Sequence, residues 1–311
     1  MPDVLSAVVC TRDRPAPLAA IVKLLLEGEA DNFELIVVDQ SDGHESETAL
    51  APFHSDPRLR YCRSTRRGKG AALNEGLQLA RGEVVVCTDD DCQPPPGWVS
   101  GMSRTLMSQP NTVLAFCRVA PVPHDHDAGY VPAYEIDKSR HLRFISDICG
   151  GLGIGAGMAV RRDFVISMGG FDESFGPGGR FPSADEWDIA MRALLTGRDV
   201  YETADLTIVH DGFRTFAQGA AHTRRDWLAL GAVCAKPLRA GHWRAFIVPL
   251  WLFSTRALWP PVYDVLTLRR PHGFERILAF VQGFGRGLAS PVDRKTLRFV
   301  EGRQSVRPPA A

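Results

Sequence analysis

The 311 residues, 45% of them hydrophobic, can bury a sizeable core in one large domain or in a domain with an appendage. A formal net charge of zero removes the simplest argument for a nucleic-acid binder. The balance is uneven along the chain: residues 1–235 carry 23 Lys and Arg against 32 Asp and Glu, a formal −9, and residues 236–311 carry +9, so a basic tail follows an acidic body.

Seven cysteines are scattered with no C-x-x-C pair, which predicts reduced core thiols rather than disulfides or zinc ligands. The opening MPDVLSAVVCTRDRP lacks a basic head, a long apolar stretch and a small-residue cleavage site, and so predicts a cytoplasmic protein. LSAVVC (5–10) is a continuous apolar run, as in a strand covered on both faces. Leu18, Ile21, Val22 and Leu25 then take the spacing of an amphipathic helix. ELIVVD (34–39) is a second buried strand closed by the turn formers QSDG, and LRYCRS (59–64) a third. Leu73, Gly76, Leu77 and Ala80 repeat the helical spacing before a fourth strand, EVVVCTD (83–89). This alternation predicts βαβ units, a mostly parallel sheet and right-handed crossovers.

Ligands of such sheets bind outside the carboxyl ends of the strands. Polar residues gather there: Thr11, Arg12 and Asp13 after the first strand, Asp39 after the second, and Asp89, Asp90 and Asp91 after the fourth. Between residues 111 and 149 the pattern loosens into a long loop, followed by the glycine-dense stretch 150–179. A helix is predicted from Ala184, with Trp187, Ala190, Met191 and Leu194 as its buried stripe. Asp185 and Glu186 fall in its first turn, where the macrodipole favours acids, and Asp188 is spaced to pair with Arg192. DVYETADLTIVHDG (199–212) reads as a strand pair ending at His210. In the tail, the uncharged run Ala245–Thr255 spans 11 residues, against about 20 needed to cross a bilayer. Trp243, Trp251, Trp259 and Tyr263 alternate with Arg244, Arg256, Arg269 and Arg270. That pattern suits an anchor on an anionic membrane surface, or helices packed on the main domain with arginines at their solvated edges.

Three adjacent carboxylates repel one another unless a positive charge lies among them. Asp89 and Asp91, two apart in an extended turn, point the same way and can share a hard divalent cation. Mg²⁺ or Mn²⁺ held there would neutralise a diphosphate leaving group.

The segments VVCTRDRP, ELIVVDQSDG, RGKGAALNEGLQLARGEVVVCTDDD, GGFDESFG and ADEWDIAMR occur in this order between residues 4 and 215. Together they resemble family 2 glycosyltransferases of the GT-A fold. The resemblance implies an α/β catalytic domain at residues 1–225 (about 1–105 for the donor nucleotide and 106–225 for the acceptor), with 226–311 as a basic, aromatic-rich helical extension. It implies transfer of a sugar from a nucleotide-diphosphate donor to a hydroxyl, with inversion and a metal at a D-x-D motif, in glycan, polysaccharide or glycolipid synthesis. Thr11, Arg12 and Asp39 match positions around the nucleoside, with Asp39 reading the base. Lys69, Gly70 and Asn74 match the stretch that closes over the donor. Asp89 and Asp90 would lie beside the donor, Asp91 would bind the metal, and His210 would add a metal or phosphate contact.

Members commonly carry Glu-Asp where this chain has Asp185-Glu186. Glu186 takes the general-base role by position, Asp185 by residue type. A sugar-nucleotide pyrophosphorylase is an alternative, though CTRDRP lacks the glycines its first loop requires; a catalytically inactive sugar-binding homologue is another. The implied partners are a nucleotide-sugar donor and a glycan or lipid-linked acceptor, at the inner face of the plasma membrane if the tail is an anchor.

Overall fold

The computed structural model describes residues 4–29 and 32–300. Strands β1 (Leu5–Thr11), β2 (Phe33–Asp39), β3 (Leu59–Arg63) and β4 (Val84–Asp89) are parallel, in the order β3-β2-β1-β4. Successive side chains leave opposite faces of a strand. Val8, Ile36, Val38 and Val85 therefore enter one core, and Ala7, Val9, Leu35, Val37 and Val86 enter another on the far side. Two buried faces explain why β1, β2 and β4 read as unbroken apolar strings, whereas β3, at the sheet edge, is only half-buried.

The sheet continues through β5 (Cys92–Gln93), β6 (Thr112–Pro121), β8 (Arg140–Leu142), β9 (Met158–Arg161) and β10 (Asp199–His210), while β7 (Gly129–Tyr130) and β11 (Arg214–Thr215) form a separate ribbon. β9 runs antiparallel between β4 and β6, and β10 runs parallel to β6. The sheet is thus parallel in its first half and mixed in its second, because apolar periodicity reports burial and carries no strand direction. The strand pair expected at 199–212 is one twelve-residue strand. Its register breaks between Thr203 and Thr207, where Ser139 Oγ accepts from the Ala204 amide and Thr203 Oγ1 from the Asp205 amide, so a bulge takes the place of a turn.

Helices α1 (Pro15–Gly28), α2 (Glu45–Ala49), α3 (Lys69–Leu79), α4 (Trp98–Met107), α5 (Arg162–Ser167) and α6 (Asp185–Leu195) complete the main unit. α1 buries the predicted Leu18, Ile21, Val22 and Leu25 with α4 beneath one face; α3 and α6 cover the other. α3 lies close on the sheet because Gly76 has no side chain: a Cβ there would be 2.5 Å from Val8 Cγ1. In α6, Ala190, Met191 and Leu194 are buried as expected, but Trp187 is only half-buried, and Asp188 and Arg192 take the interior positions instead.

α7 (Phe216–Arg239) starts at a Thr215–Gln218 capping box. It is followed by α8 (Ile247–Trp251), α9 (Trp259–Leu266) and α10 (Phe274–Ala289). The boundary expected at residue 225 lies within α7. Ala232 and Val233 of α7 and Phe280 of α10 share one core with β1, α3 and α6. The last part of the expected extension, residues 301–311, lies outside the described residues.

Candidate active site

The register sets Thr11 beside Asp39 and Cys10 beside Asp89, so the ends of β1, β2 and β4 finish level at one edge. β4 turns through Asp90 and Asp91 into β5, which pairs antiparallel with the end of β10, His210 opposite Cys92. The Asp211 amide donates to the Asp91 carbonyl at 2.8 Å. This pairing carries His210 across the sheet, setting its Nε2 3.4 Å from Asp91 Oδ1. Gly212 lets the chain pass over the ring, since a Cβ there would lie 2.6 Å from His210 Cε1.

Each of the three carboxylates has a cationic neighbour supplied by the protein. Asp89 pairs with Lys69. Asp90 accepts from Thr11 Oγ1 and from Arg14, both at 2.6 Å. Asp91 accepts two bonds from the same Arg14 guanidinium at 3.1 Å. Arg14 was not singled out in the sequence; the clue was TRDRP, two arginines flanking an aspartate. Asp13 adopts a left-handed φ of 56°, which sends Arg14 inward over the turn. Arg12 points the other way, to Asp13 at 3.3 Å and Asp42 at 3.7 Å on the exposed rim.

These surroundings separate the carboxyls. Burial pushes Asp90 up to about 6, against its bonds to Thr11 and Arg14. Burial also acts to raise Asp91, but His210 and Arg14 more than offset it and hold that carboxyl well below the usual range. Burial opposes charge on His210 too, yet Asp91 and the Pro132 carbonyl, 3.0 Å from Nδ1, leave its proton affinity raised. Donor atoms of Asp91, Cys92 and His210 lie within 4.8 Å of one another. Burial drives the Cys92 thiol far up, and a hard divalent cation would favour the carboxylate and the imidazole over a thiol.

The structure does not bring all the predicted donor residues to the rim. Asp39 is fully buried: Oδ1 accepts from the Ser41 amide at 2.8 Å and from the Ser41 hydroxyl, and Oδ2 from Tyr61 at 2.7 Å. The exposed groups at that edge include Arg12, Asp13 and Asp42. Thr11 is likewise spent on Asp90. Asn74 lies five residues along α3 from Lys69 and so on another face of the helix; it donates to the Phe171 carbonyl and to Glu173 at 3.0 Å, fastening the loop after α5. Gly70 lies against the same loop, where a Cβ would be 3.2 Å from Glu173 Cα.

Lys69 opens α3 and reaches Asp89, with Asp185 and Glu186 also close enough to act on it. Burial works against its charge, but Asp89 and then Asp185 more than compensate, so the ammonium is held well above its ordinary range. Ala184, just before α6, has a φ of 66°, a left-handed strain for a residue with a Cβ. It turns Asp185 beneath Gly176, whose Cβ would lie 3.1 Å from Asp185 Oδ1. Asp185 is buried and its Oδ2 takes no hydrogen bond; Glu186 is partly exposed. Burial, reinforced by the neighbouring Asp185, raises the Glu186 carboxyl well above its usual value.

A family model described as "Glycosyl transferase family 2" matches residues 6–169. The chain belongs to glycosyl transferase family 2. An uncharacterized glycosyltransferase of Haemophilus influenzae is 21% identical to this family 2 chain over 194 residues, 61% of this chain and 62% of that one. The chain spans under two thirds of the length of the curated relatives it matches first. Among solved structures, the mannosyltransferase PcManGT from Pyrobaculum calidifontis, in complex with GDP-Man and Mn²⁺, superposes with a TM-score of 0.56 at 18% identity, covering 93% of this chain and 86% of that one. S. aureus TarS 1-349, in complex with UDP-GlcNAc, gives 0.63 at 14% identity, covering 91% and 80%. Likeness at such identities establishes the shared glycosyltransferase fold.

Proposed function

We propose that this family 2 chain moves a hexose from a nucleotide-diphosphate sugar to a hydroxyl acceptor, by a metal-dependent single displacement that inverts the anomeric carbon. The observation that carries the reading is the meeting of the Asp91–His210 pair and the Asp185–Glu186 dyad, with Lys69 between them, at the carboxyl edge of the sheet. The nucleotide sugars and Mn²⁺ in the two solved relatives add support.

Asp91 and His210 would hold Mg²⁺ or Mn²⁺: the buried Asp91 Oδ1 takes no hydrogen bond, and His210 keeps Nε2 toward it because Nδ1 is held by Pro132. When bound, the ion supplies Lewis-acid stabilisation of the departing diphosphate. Asp89 and Lys69 face the donor sugar and diphosphate, and Arg12 lies at the nucleoside rim. Glu186, the more exposed of the dyad, accepts the acceptor's proton as its oxygen attacks, while Asp185 keeps Glu186 basic. A base so placed contributes roughly 10²–10⁴-fold. Residues 1–105 form the donor half and 106–225 the acceptor half. Incubation with UDP-, GDP- and dTDP-sugars and Mn²⁺ should release nucleoside diphosphate from at least one donor, and Glu186→Gln should abolish acceptor-dependent release. Wild-type turnover in that variant refutes the assignment.

The finer location we infer is a membrane surface. No helix among the described residues is long and apolar enough to cross a bilayer. Trp243 is 73% exposed, Leu266 69% and Leu278 73%, with Phe246, Leu250, Trp259 and Val265 also open. Arg244, Arg256, Arg269 and Arg270 are exposed among them, and Asp264, an acid of this stretch, is buried. Such a face suits anionic lipid headgroups, and a lipid-linked acceptor would be within reach there.

A further inference from the structure

The mechanism leaves unused a cluster of charged side chains buried where α7 meets α6. Lys236, near the end of α7, is 1% exposed. Its ammonium donates to Asp172 Oδ2 at 2.8 Å and pairs with Asp188 Oδ1. It also lies over the rings of Phe175 at 4.9 Å and Phe299 at 5.3 Å. Asp188 pairs in turn with Arg192 at 3.0 Å, and Arg192 donates to the carbonyls of Met168 at 2.9 Å and Gly170 at 2.7 Å. Two cations and two anions, each buried, thus neutralise one another in an apolar surround. Burying charge costs stability unless pairing is complete, and an apolar quartet would do as well or better for stability alone.

What the cluster fastens gives it a further role. Asp172 belongs to the loop 169–183, and Asp188 to α6 one turn beyond Asp185. Asp185 and Asp188, three apart on the helix, face the same loop. At its far end the loop sets Gly176 over Asp185, and its Pro177 carbonyl accepts from the Lys69 amide at 2.9 Å. One loop therefore touches both halves of the site, and one side chain from the C-terminal helices pins it to α6.

We propose that Lys236 is a positioning residue: through Asp172 and Asp188 it fixes the glycine-rich loop against α6 and thereby sets the Asp185–Glu186 dyad relative to Lys69. On this view the C-terminal helices are part of the catalytic unit, beyond any contact they make with lipid. The proposal rests on the reading of that dyad as the base.

The test is Lys236→Met beside Lys236→Arg, with Lys236→Met/Asp188→Asn as a charge-balanced variant should the single change fail to fold. Assayed about 10 °C below each variant's own melting temperature, Lys236→Met (or the balanced double) should lose about tenfold or more in kcat with the donor KM within about threefold, and Lys236→Arg should recover most of it. Amide exchange of the peptide 172–187 should be faster than in the wild type. Unchanged kcat, or a loss spread equally into KM, overturns the proposal. If the wild type shows no turnover with any donor, the base reading fails instead. Exchange then decides the positioning claim by itself, unchanged protection of 172–187 sinking it.

Discussion

α7 and α10 cross at glycines, and the crossing gives a prediction with opposite signs at two positions two residues apart. A Cβ added at Gly283 would lie 2.7 Å from the backbone carbon and 3.0 Å from the Cα of Leu228 on α7, with the carbonyl oxygen closer still. Carbon atoms settle at roughly 3.5–4.0 Å, so the helices must part by about 1 Å. A gap of that size forfeits about a quarter to a half of each contact along the seam, where Gly231 and Gly287 depend on the same closeness. Overpacking of this kind costs about 1–3 kcal/mol, and the upper figure applies because the obstacle is backbone and cannot swing aside. At about 2 °C per kcal/mol for a chain of this size, Gly283→Ala should melt roughly 6 °C lower. Gly285 is exposed in the same helix with nothing within 4 Å of its would-be Cβ. Gly285→Ala should therefore gain about 0.5–1 kcal/mol from helix propensity alone. Paired melting curves by calorimetry or circular dichroism test this. Equal shifts in the two variants would refute the close crossing and the integration of α10 into the core.

Two further outcomes follow from the site and the tail. Glu186 is raised by burial and then by Asp185, so the base proposed here is ready only above the ordinary carboxylate range and kcat should climb with pH through that raised value. Asp185→Asn removes the negative neighbour and should move the acid limb of the kcat profile to lower pH; a limb that stays or moves upward contradicts the dyad. The protein should float with liposomes containing anionic lipid at low salt and be released as salt rises, with Trp243→Ser/Leu266→Ser weakening recovery; full solubility at low salt, or equal binding to neutral vesicles, contradicts the docking face.

The first hundred residues were legible because β1, β2 and β4 are buried on both faces. Apolar runs such as ELIVVD and the helix stripe of Leu18, Ile21, Val22 and Leu25 have few other ways to fold. The acidic tip at 89–91 was equally plain. Less visible was what answers its charge. Arg14 sits one residue past an aspartate with positive φ, and no periodicity announces which of two neighbouring arginines turns inward. Asp39 shows the opposite limit: a carboxylate at a strand end suggests a ligand, and only the fold shows it accepting from Ser41 and Tyr61, two residues and a whole strand away. Asn74 shares a short motif with Lys69, yet helical geometry gives them different neighbours. Lys236 looked like one more charge of a basic tail, and only the fold shows it buried against Asp172 and Asp188.

The central claim is that the acidic tip and the histidine brought to it by β5 and β10 hold a divalent cation against the donor's diphosphate. Calorimetric titration of Mn²⁺ in the presence of UDP or GDP measures it directly. The wild type should bind the ion, and Asp91→Ala, titrated below its own melting temperature, should lose about tenfold or more in affinity, with His210→Ala weakened in the same direction. Mn²⁺ bound as tightly by Asp91→Ala as by the wild type would contradict the account.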